Sequence, residues 1–207
     1  MGRTSLALAP SKQDIIYAVS ASNSTSGNFS QGLLAVYQSI SSGRSGTWTT
    51  QTTNASPTTQ NTLLLTSPIS AVAASCGLTA PSTTLNSGWY DSAIAVDPKN
   101  PNTVWVGGVD LFRSDDAGQT WGIASWWSQP ASPSFVHADQ HAIAFHPLYD
   151  GSANQTMYVA GDGGVFRSVN AAGVVSYSPN PITPTSAICG NPATGSVTWT
   201  ALNNGIQ

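Results

Sequence analysis

Two imidazoles and a carboxylate fall within five residues in the run F-V-H-A-D-Q-H-A-I-A-F-H-P, at His137, Asp139 and His141. On an extended strand these side chains point to one face, because strand side chains alternate with period two. Such a set can contact sugar hydroxyls or hold a divalent metal ion. Positions i and i+4 of a strand lie far apart for one ion, so no metal is assigned and no cofactor is expected. Two readings remain, contact with a ligand and hydrogen bonding that bridges neighbouring loops. No catalytic residue is assigned, and Asp139 is the one candidate acid in the run.

Two aromatic pairs, Trp89-Tyr90 and Trp126-Trp127, are the second chemical signal. Exposed indole faces stack on sugar rings, whereas buried ones fill cores and seams. Both pairs fall on the same side of the strands derived below, and either role suits them. Gly161-Asp162-Gly163-Gly164 has the glycine content of a phosphate loop, but no helix follows, so it reads as a tight turn between strands.

The elements that position these residues come from an internal repeat. T-S-L-A-L-A-P (Thr4 to Pro10), S-A-I-A-V-D-P (Ser92 to Pro98) and H-A-I-A-F-H-P (His141 to Pro147) align as short strands that stop at a proline. A second strand follows each one, at Ile15 to Ser20, Thr103 to Gly107 and Thr156 to Ala160. Third strands are read at Leu33 to Ser39, Leu111 to Ser114 and Val165 to Ser168. A fourth is marked by Thr47-Trp48, Thr120-Trp121 and Thr198-Trp199. Pro98 and Pro147 lie 49 residues apart, the length of one propeller blade. The expected architecture is therefore all-β, a β-propeller segment of about three four-stranded antiparallel blades. Blade one spans 1–50, a long inter-blade loop 51–88, blade two 89–128 and blade three 135–203. A stray strand is expected at Asn61 to Leu65. Three blades are too few for a ring, so further blades or other copies of the chain are expected to close it. His137, Asp139 and His141 have no counterparts in the other blades, where Tyr90 and Ser92, or Gly2 and Thr4, stand.

The turn from Arg113 to Trp121 reads R-S-D-D-A-G-Q-T-W. Ser114 and Asp116 can accept from backbone amides of a tight turn, Gly118 permits a positive φ, Thr120 follows, and Trp121 opens the next strand with a large ring. Blade one keeps Ser39, Ser41 and Gly43 but lacks the aspartate. Blade three has Ser168, Asn170 and Gly173 and then an insertion, Val174 to Val197. Asparagine retains the acceptor, so that turn is expected to survive.

Composition sets the outer limits. The chain has 207 residues, 7% of them charged, against about 25% in an average soluble protein. Six Lys and Arg are too few for a nucleic-acid partner. All nine acidic residues are Asp. No apolar run reaches the ~20 residues of a membrane span, and the first residues do not read as a signal peptide. The hydroxyl- and amide-rich surface points to a secreted or cell-surface protein. N-x-[ST] sequons stand at Asn23, Asn28, Asn54 and Asn154. Cys76 and Cys189 have no metal spacing. A disulfide between them is open in an oxidising compartment, and the blade layout, which puts their loops at opposite ends of the sheets, weighs against it.

The S-x-D-x-G-x-T-W pattern of Ser114, Asp116, Gly118, Thr120 and Trp121 resembles the Asp-box of BNR-repeat propellers. That group includes sialidases, xyloglucanases, sortilin-like receptors and exported glycosyl-hydrolase-like bacterial proteins. Sialidases of this type use a Tyr-Glu pair and three clustered arginines; here Glu is absent, and Arg3, Arg44, Arg113 and Arg167 are scattered. Xyloglucanases use two aspartates from facing propellers, and Asp139 or Asp91 stands as one such acid, although the family's T-D-x-G-G stretch is missing. The resemblance implies a secreted scaffold that binds a polysaccharide or other glycan through His137, Asp139, His141, Trp89, Tyr90, Trp126 and Trp127. The alternatives are part of a glycoside hydrolase completed by residues outside the chain, and a propeller that binds a protein ligand.

Overall fold

Short runs in which apolar and small residues alternate, punctuated by Pro, Gly and Asn, are what this sequence offers, and they form strands. In the computed structural model, which describes residues 1–27, 30–55, 63–79, 85–177 and 182–205, these runs make three four-stranded antiparallel sheets. The first sheet comprises β1 (Thr4–Leu8), β2 (Ile16–Ala21), β3 (Leu33–Ser39) and β4 (Trp48–Thr53). The second holds β5 (Ala93–Val96), β6 (Val104–Gly107), β7 (Leu111–Ser114) and β8 (Gly122–Ile123). The third holds β9 (Gln140–Phe145), β10 (Met157–Gly161), β11 (Gly164–Ser168) and β12 (Thr200–Ala201). Within each sheet strands pair in sequence order, and β1, β5 and β9 lie beside one another. This is a propeller segment of three blades with the first strand of each innermost. The fourth strand of blade one runs to Thr53, three residues past the expected boundary.

Alternation decides what each blade covers. In β6, Val104 and Val106 face blade one, in a core with Tyr17, Val19 and Val36. Trp105, between them, points the other way, into a core with Met157, Val159 and Phe166 of blade three. Blade two is thus buried on both faces, and Trp105, Phe112 and Trp121 are almost wholly shielded from solvent.

The turn before β8 shows why its residue types recur. Ser114 Oγ accepts from the amides of Gly118 at 2.8 Å and Asp116 at 3.3 Å. Asp116 Oδ1 accepts from the Thr120 amide at 2.8 Å and the Gln119 amide at 3.1 Å, and Thr120 Oγ1 donates to Oδ2 at 2.6 Å. Gly118 has φ 89°, and Trp121 Nε1 donates to its carbonyl. In blade three the Asn170 side-chain oxygen accepts from the amide and hydroxyl of Thr198 at 2.9 and 3.0 Å, across the whole insertion.

Two expectations are corrected here. Cys76 and Cys189 form a disulfide, with Cα atoms 5.4 Å apart. The loop after blade one folds back over blade two through a short helix, α1 (Pro68–Val72), and a 3-10 turn, Ala73–Cys76. It there meets a second 3-10 turn, Ala187–Cys189, from the insertion of blade three. Strand topology alone does not reveal that route, because both segments are insertions. Leu63, Leu64 and Leu65 form a turn, not a strand, and are fully buried in the core between blades one and two. Asn61 and the sequon at Asn28 lie outside the described residues.

Two stability predictions follow from these contacts. Opening a bridge between residues 113 apart in sequence by Cys76→Ser is expected to lower the unfolding free energy by about 2–5 kcal/mol, measured by guanidinium denaturation. Asp116→Ala, which removes four turn hydrogen bonds, is expected to cost about 1–2 kcal/mol in the same assay.

Candidate functional site

Three segments that precede or connect inner strands meet at one end of the blades. Residues 85–91 lead into β5, residues 136–139 lead into β9, and Asp162-Gly163 is the two-residue hairpin between β10 and β11. The last confirms the turn expected at Gly161 to Gly164.

His137, Asp139 and His141 do not share a strand face. β9 begins only at Gln140, and Asp139 adopts a left-handed φ of 68°, which breaks the alternation before the strand starts. Its amide donates to Val109 O at 3.3 Å and the Gln140 amide to Gly108 O at 2.9 Å, so the loop is stitched to blade two before it enters blade three. His137 is carried away from the other two. It is exposed, packs over Gly163, and borders a separate depression with Phe135, Phe166, Trp199 and Asn203.

His141 finds a partner that the sequence did not suggest. Its Nε2 lies 2.7 Å from Asp162 Oδ1. The Tyr90 hydroxyl donates to both oxygens of the same carboxylate, at 3.0 and 3.2 Å, and its ring meets the His141 ring edge-on at 4.9 Å. The His141 and Tyr90 hydrogen bonds hold the Asp162 carboxyl below its ordinary range, and the bond to Asp162 raises the Tyr90 hydroxyl. Arg3 of blade one donates to the Tyr90 carbonyl. All three blades therefore converge on Tyr90.

Beside this set lies a pair of carboxyl groups. Asp91 is fully buried, and among the described residues neither of its oxygens has a well-formed hydrogen bond. Burial pushes its carboxyl up to about 7; the Ser87 hydroxyl opposes that rise, and the charge of Asp139 adds to it. Asp139 is raised as well, first by burial and then by the charge of Asp162, while Asp91, His141 and His137 draw it back. Two carboxyls in one poorly solvated place resist joint ionisation, and one of them keeps its proton near neutrality. Among the described residues, no group of three or more His, Cys, Asp or Glu is arranged to hold a metal ion.

Asp139 forms the end of a cleft of about 310 Å³ whose walls include Leu85, Trp89, Tyr90, Val109 and Trp127. Trp89 is 61% exposed and its ring lies 5.4 Å from that of Tyr90. Trp127 is positioned from below. Its amide donates at 2.9 Å to Asp110, a fully buried carboxyl that also accepts from Ser125 at 2.7 Å and that burial pushes up to about 7. The Trp127 indole nitrogen is buried and has no hydrogen-bond partner among the described residues. Trp126 does not belong to this surface. It is 2% exposed, packs in the core of blades one and two, and donates to Ala187 O at 2.6 Å. Consecutive residues in extended chain point opposite ways, so only one of the two indoles reaches the cleft.

Of the residues expected to form a site, Trp89, Tyr90, Trp127, Asp139 and His141 are brought together, whereas His137 and Trp126 are not. Asp162 was legible only as a turn residue, and nothing in the sequence couples it to Tyr90, 72 positions away.

No family model matches this sequence, and no curated protein matches it. Among solved structures, the GH74 enzyme of Niastella koreensis is similar to it, with a TM-score of 0.50 at 18% identity. That alignment covers 96% of this chain and 22% of the enzyme. The GH74 xyloglucanase of Xanthomonas campestris aligns with a TM-score of 0.48 at 19% identity, over 81% of this chain and 22% of its own. The chain spans about a fifth of the length of these enzymes, and the likeness is one of fold.

The buried aspartates impose a pH dependence whose sign is fixed. Asp91 and Asp110 have folded-state values raised to about 7, well above the ordinary ~3.9 of an unfolded chain. Their stabilisation is complete below the unfolded value and is lost as pH rises through about 7. Asp116 acts oppositely. Burial alone would raise it, but its bonds from Thr120, Ser114 and Gln119 prevail and lower it, so its contribution disappears as pH falls through the acid range. The melting temperature is expected to fall between about pH 5 and pH 8. Asp91→Asn is expected to flatten that decline, as measured by thermal scans across the range.

Proposed function

We propose that this chain is a glycan-binding segment of a glycoside-hydrolase-like propeller that works outside the cell. The observation that carries the reading is the cleft in which Trp89, Tyr90 and Trp127 stand beside the Asp91–Asp139 pair. Aromatic faces offer a sugar ring an apolar platform with little entropy to lose, since each has two side-chain torsions. The disulfide and the low charge content support an extracellular setting.

The ligand in this reading is a neutral sugar chain. Asp139 lines the cleft, Asp162 holds the hydroxyl of its wall residue Tyr90, and no arginine lines it among the described residues, so an anionic sugar would meet repulsion without a guanidinium to bind its carboxylate. Asp139 then serves as one of the two carboxyl groups that glycosidic cleavage requires. Its raised affinity for a proton, which burial gives it and the charge of Asp162 reinforces, suits donation to the leaving oxygen. The second carboxyl belongs to a part of the enzyme outside this chain.

Affinity electrophoresis in gels that contain neutral or uronic-acid polysaccharides tests the reading. Trp89→Ala is expected to weaken retention by a neutral glycan about tenfold, roughly 1.4 kcal/mol. Asp139→Asn should leave retention within about twofold, a change of under 0.5 kcal/mol. Retention that Trp89→Ala does not change, or that is stronger for the uronic-acid polymers, would overturn it.

A further inference from the structure

The hairpin between β10 and β11 meets the cleft from behind. Gly161 and Gly163 flank its tip, and both press against the loop that carries Asp139. A Cβ on Gly161 would collide with the Asp139 carbonyl, and one on Gly163 with the His137 side chain. Glycine allows two segments to approach this closely. Between the two glycines the Asp162 amide donates to the Asp139 carbonyl at 3.2 Å. The hairpin tip is therefore fixed on the backbone of Asp139, and the Asp162 side chain starts from a fixed point.

That side chain reaches across the seam to a wall of the cleft. An ionised carboxylate accepts on both oxygens and donates nothing, and Asp162 receives the Tyr90 hydroxyl on both oxygens and His141 Nε2 on Oδ1. Tyr90 leads into blade two, whereas Asp162 and His141 belong to blade three. The Tyr90 main chain is tied separately: its amide donates to Ser87 O at 2.7 Å, and its carbonyl accepts from Arg3 of blade one. With main chain and hydroxyl both held, the ring is confined to one rotamer. The Tyr90 hydroxyl is raised first by its bond to Asp162, because a phenol that donates to a carboxylate loses that bond when it ionises.

We propose that Asp162 is the positioning residue of the glycan site: its carboxylate latches the Tyr90 ring as a wall of the cleft while its amide holds Asp139. The sugar platform and the candidate acid thereby keep one spacing, although they stand on loops that enter different blades. This inference rests on the reading of the cleft as a glycan site. Tyr90 is 38% exposed, so packing alone leaves its ring free to swing at the rim, and a bond aimed at the hydroxyl stops that motion. A wall fixed in advance lowers the ordering cost of binding. Asp162 acts through Tyr90 and does not line the cleft itself.

A double-mutant cycle on the purified chain tests the latch. Asp162→Asn keeps the size of the side chain but replaces one acceptor with a donor, and Tyr90→Phe keeps the ring but removes the hydroxyl. Both positions lie outside the two hydrophobic cores, and unchanged near-ultraviolet circular dichroism checks that the variants are folded. Retention is measured in gels of whichever of hydroxyethyl cellulose, galactomannan and xyloglucan holds the wild-type chain. Each single variant is expected to weaken it about fivefold. The double variant is expected to stay within about twofold of either, because the two changes remove one bond. Loss in Tyr90→Phe with none in Asp162→Asn would show that the hydroxyl meets the sugar itself, and single effects that multiply to roughly twenty-five-fold would show independent roles; either result overturns the proposal. A second readout needs no ligand. In chain carrying isotope-labelled tyrosine, the Tyr90 signal, identified by its loss in Tyr90→Phe, is followed by NMR as pH rises. Its ionisation is expected to move down toward the ordinary range in Asp162→Asn, and an unchanged titration overturns the latch whatever the gels show. A wild-type chain that none of the three polymers retains counts against the glycan reading, and the latch is then decided by this titration alone.

Discussion

Both faces of a four-stranded sheet rich in Val, Ile and aromatic residues have to be covered, and the period-two alternation of strands means that different residues cover each. Blade two meets the condition within the chain. Val104 and Val106 turn to blade one and Trp105 to blade three, so a single strand contributes to two separate cores. Burying a residue such as Trp105 removes a large apolar area from water, at about 25 cal/mol per Å². Directional bonds then fix the angle between blades, which burial alone leaves free. Arg113 is the clearest case: 7% exposed, it has its charge balanced by Asp115 at 2.9 Å, and it uses its remaining donors on carbonyls across the seam. A buried guanidinium without those acceptors would cost several kcal/mol.

The turn into the fourth strand shows how much substitution such a fold absorbs. Asp116 collects two amides and two hydroxyls, and Asn170 collects an amide and a hydroxyl from Thr198, 28 positions away, besides the hydroxyl of Ser168. In blade one no side chain at position 41 does this work. There Ser39 accepts from the amides of Ser41 and Gly43 at 3.3 and 3.1 Å and lies 2.7 Å from the Thr47 hydroxyl. The serine of the pattern is therefore the constant element and the carboxylate an addition. The turn describes architecture, and the candidate site lies at the other end of the strands.

Strands, blade count and hairpins were legible because they rest on local rules: alternation, proline at strand ends, and glycine with aspartate at Asp162-Gly163. The site was legible only in part. Tyr90, Trp89, Trp127, Asp139 and His141 could be named from their types, but their relations depend on contacts distant in sequence. The positive φ of Asp139 moved His137 off the face that a regular strand would have shared. The disulfide was missed for the same reason, since its partners sit on two insertions that fold over blade two, and the blade pattern carries no information about insertions.

Those insertions also explain how a cleft made from loops can keep its shape. Gly108 sits so close to the carbonyl of Leu64 that a Cβ there would lie 2.4 Å from it, and the Gly108 carbonyl in turn accepts from the Gln140 amide. Val109, the next residue, holds the Asp139 amide. The fully buried turn Leu63–Leu65 thus supports the 108–109 corner, and that corner supports Asp139. Downstream of Leu65 the same segment enters α1 and ends at Cys76, which the disulfide ties to the insertion of blade three. The carboxyl at the end of the cleft rests on a chain of backbone contacts anchored by a covalent bond, and this allows Asp139 to hold a left-handed conformation in a segment between two blades.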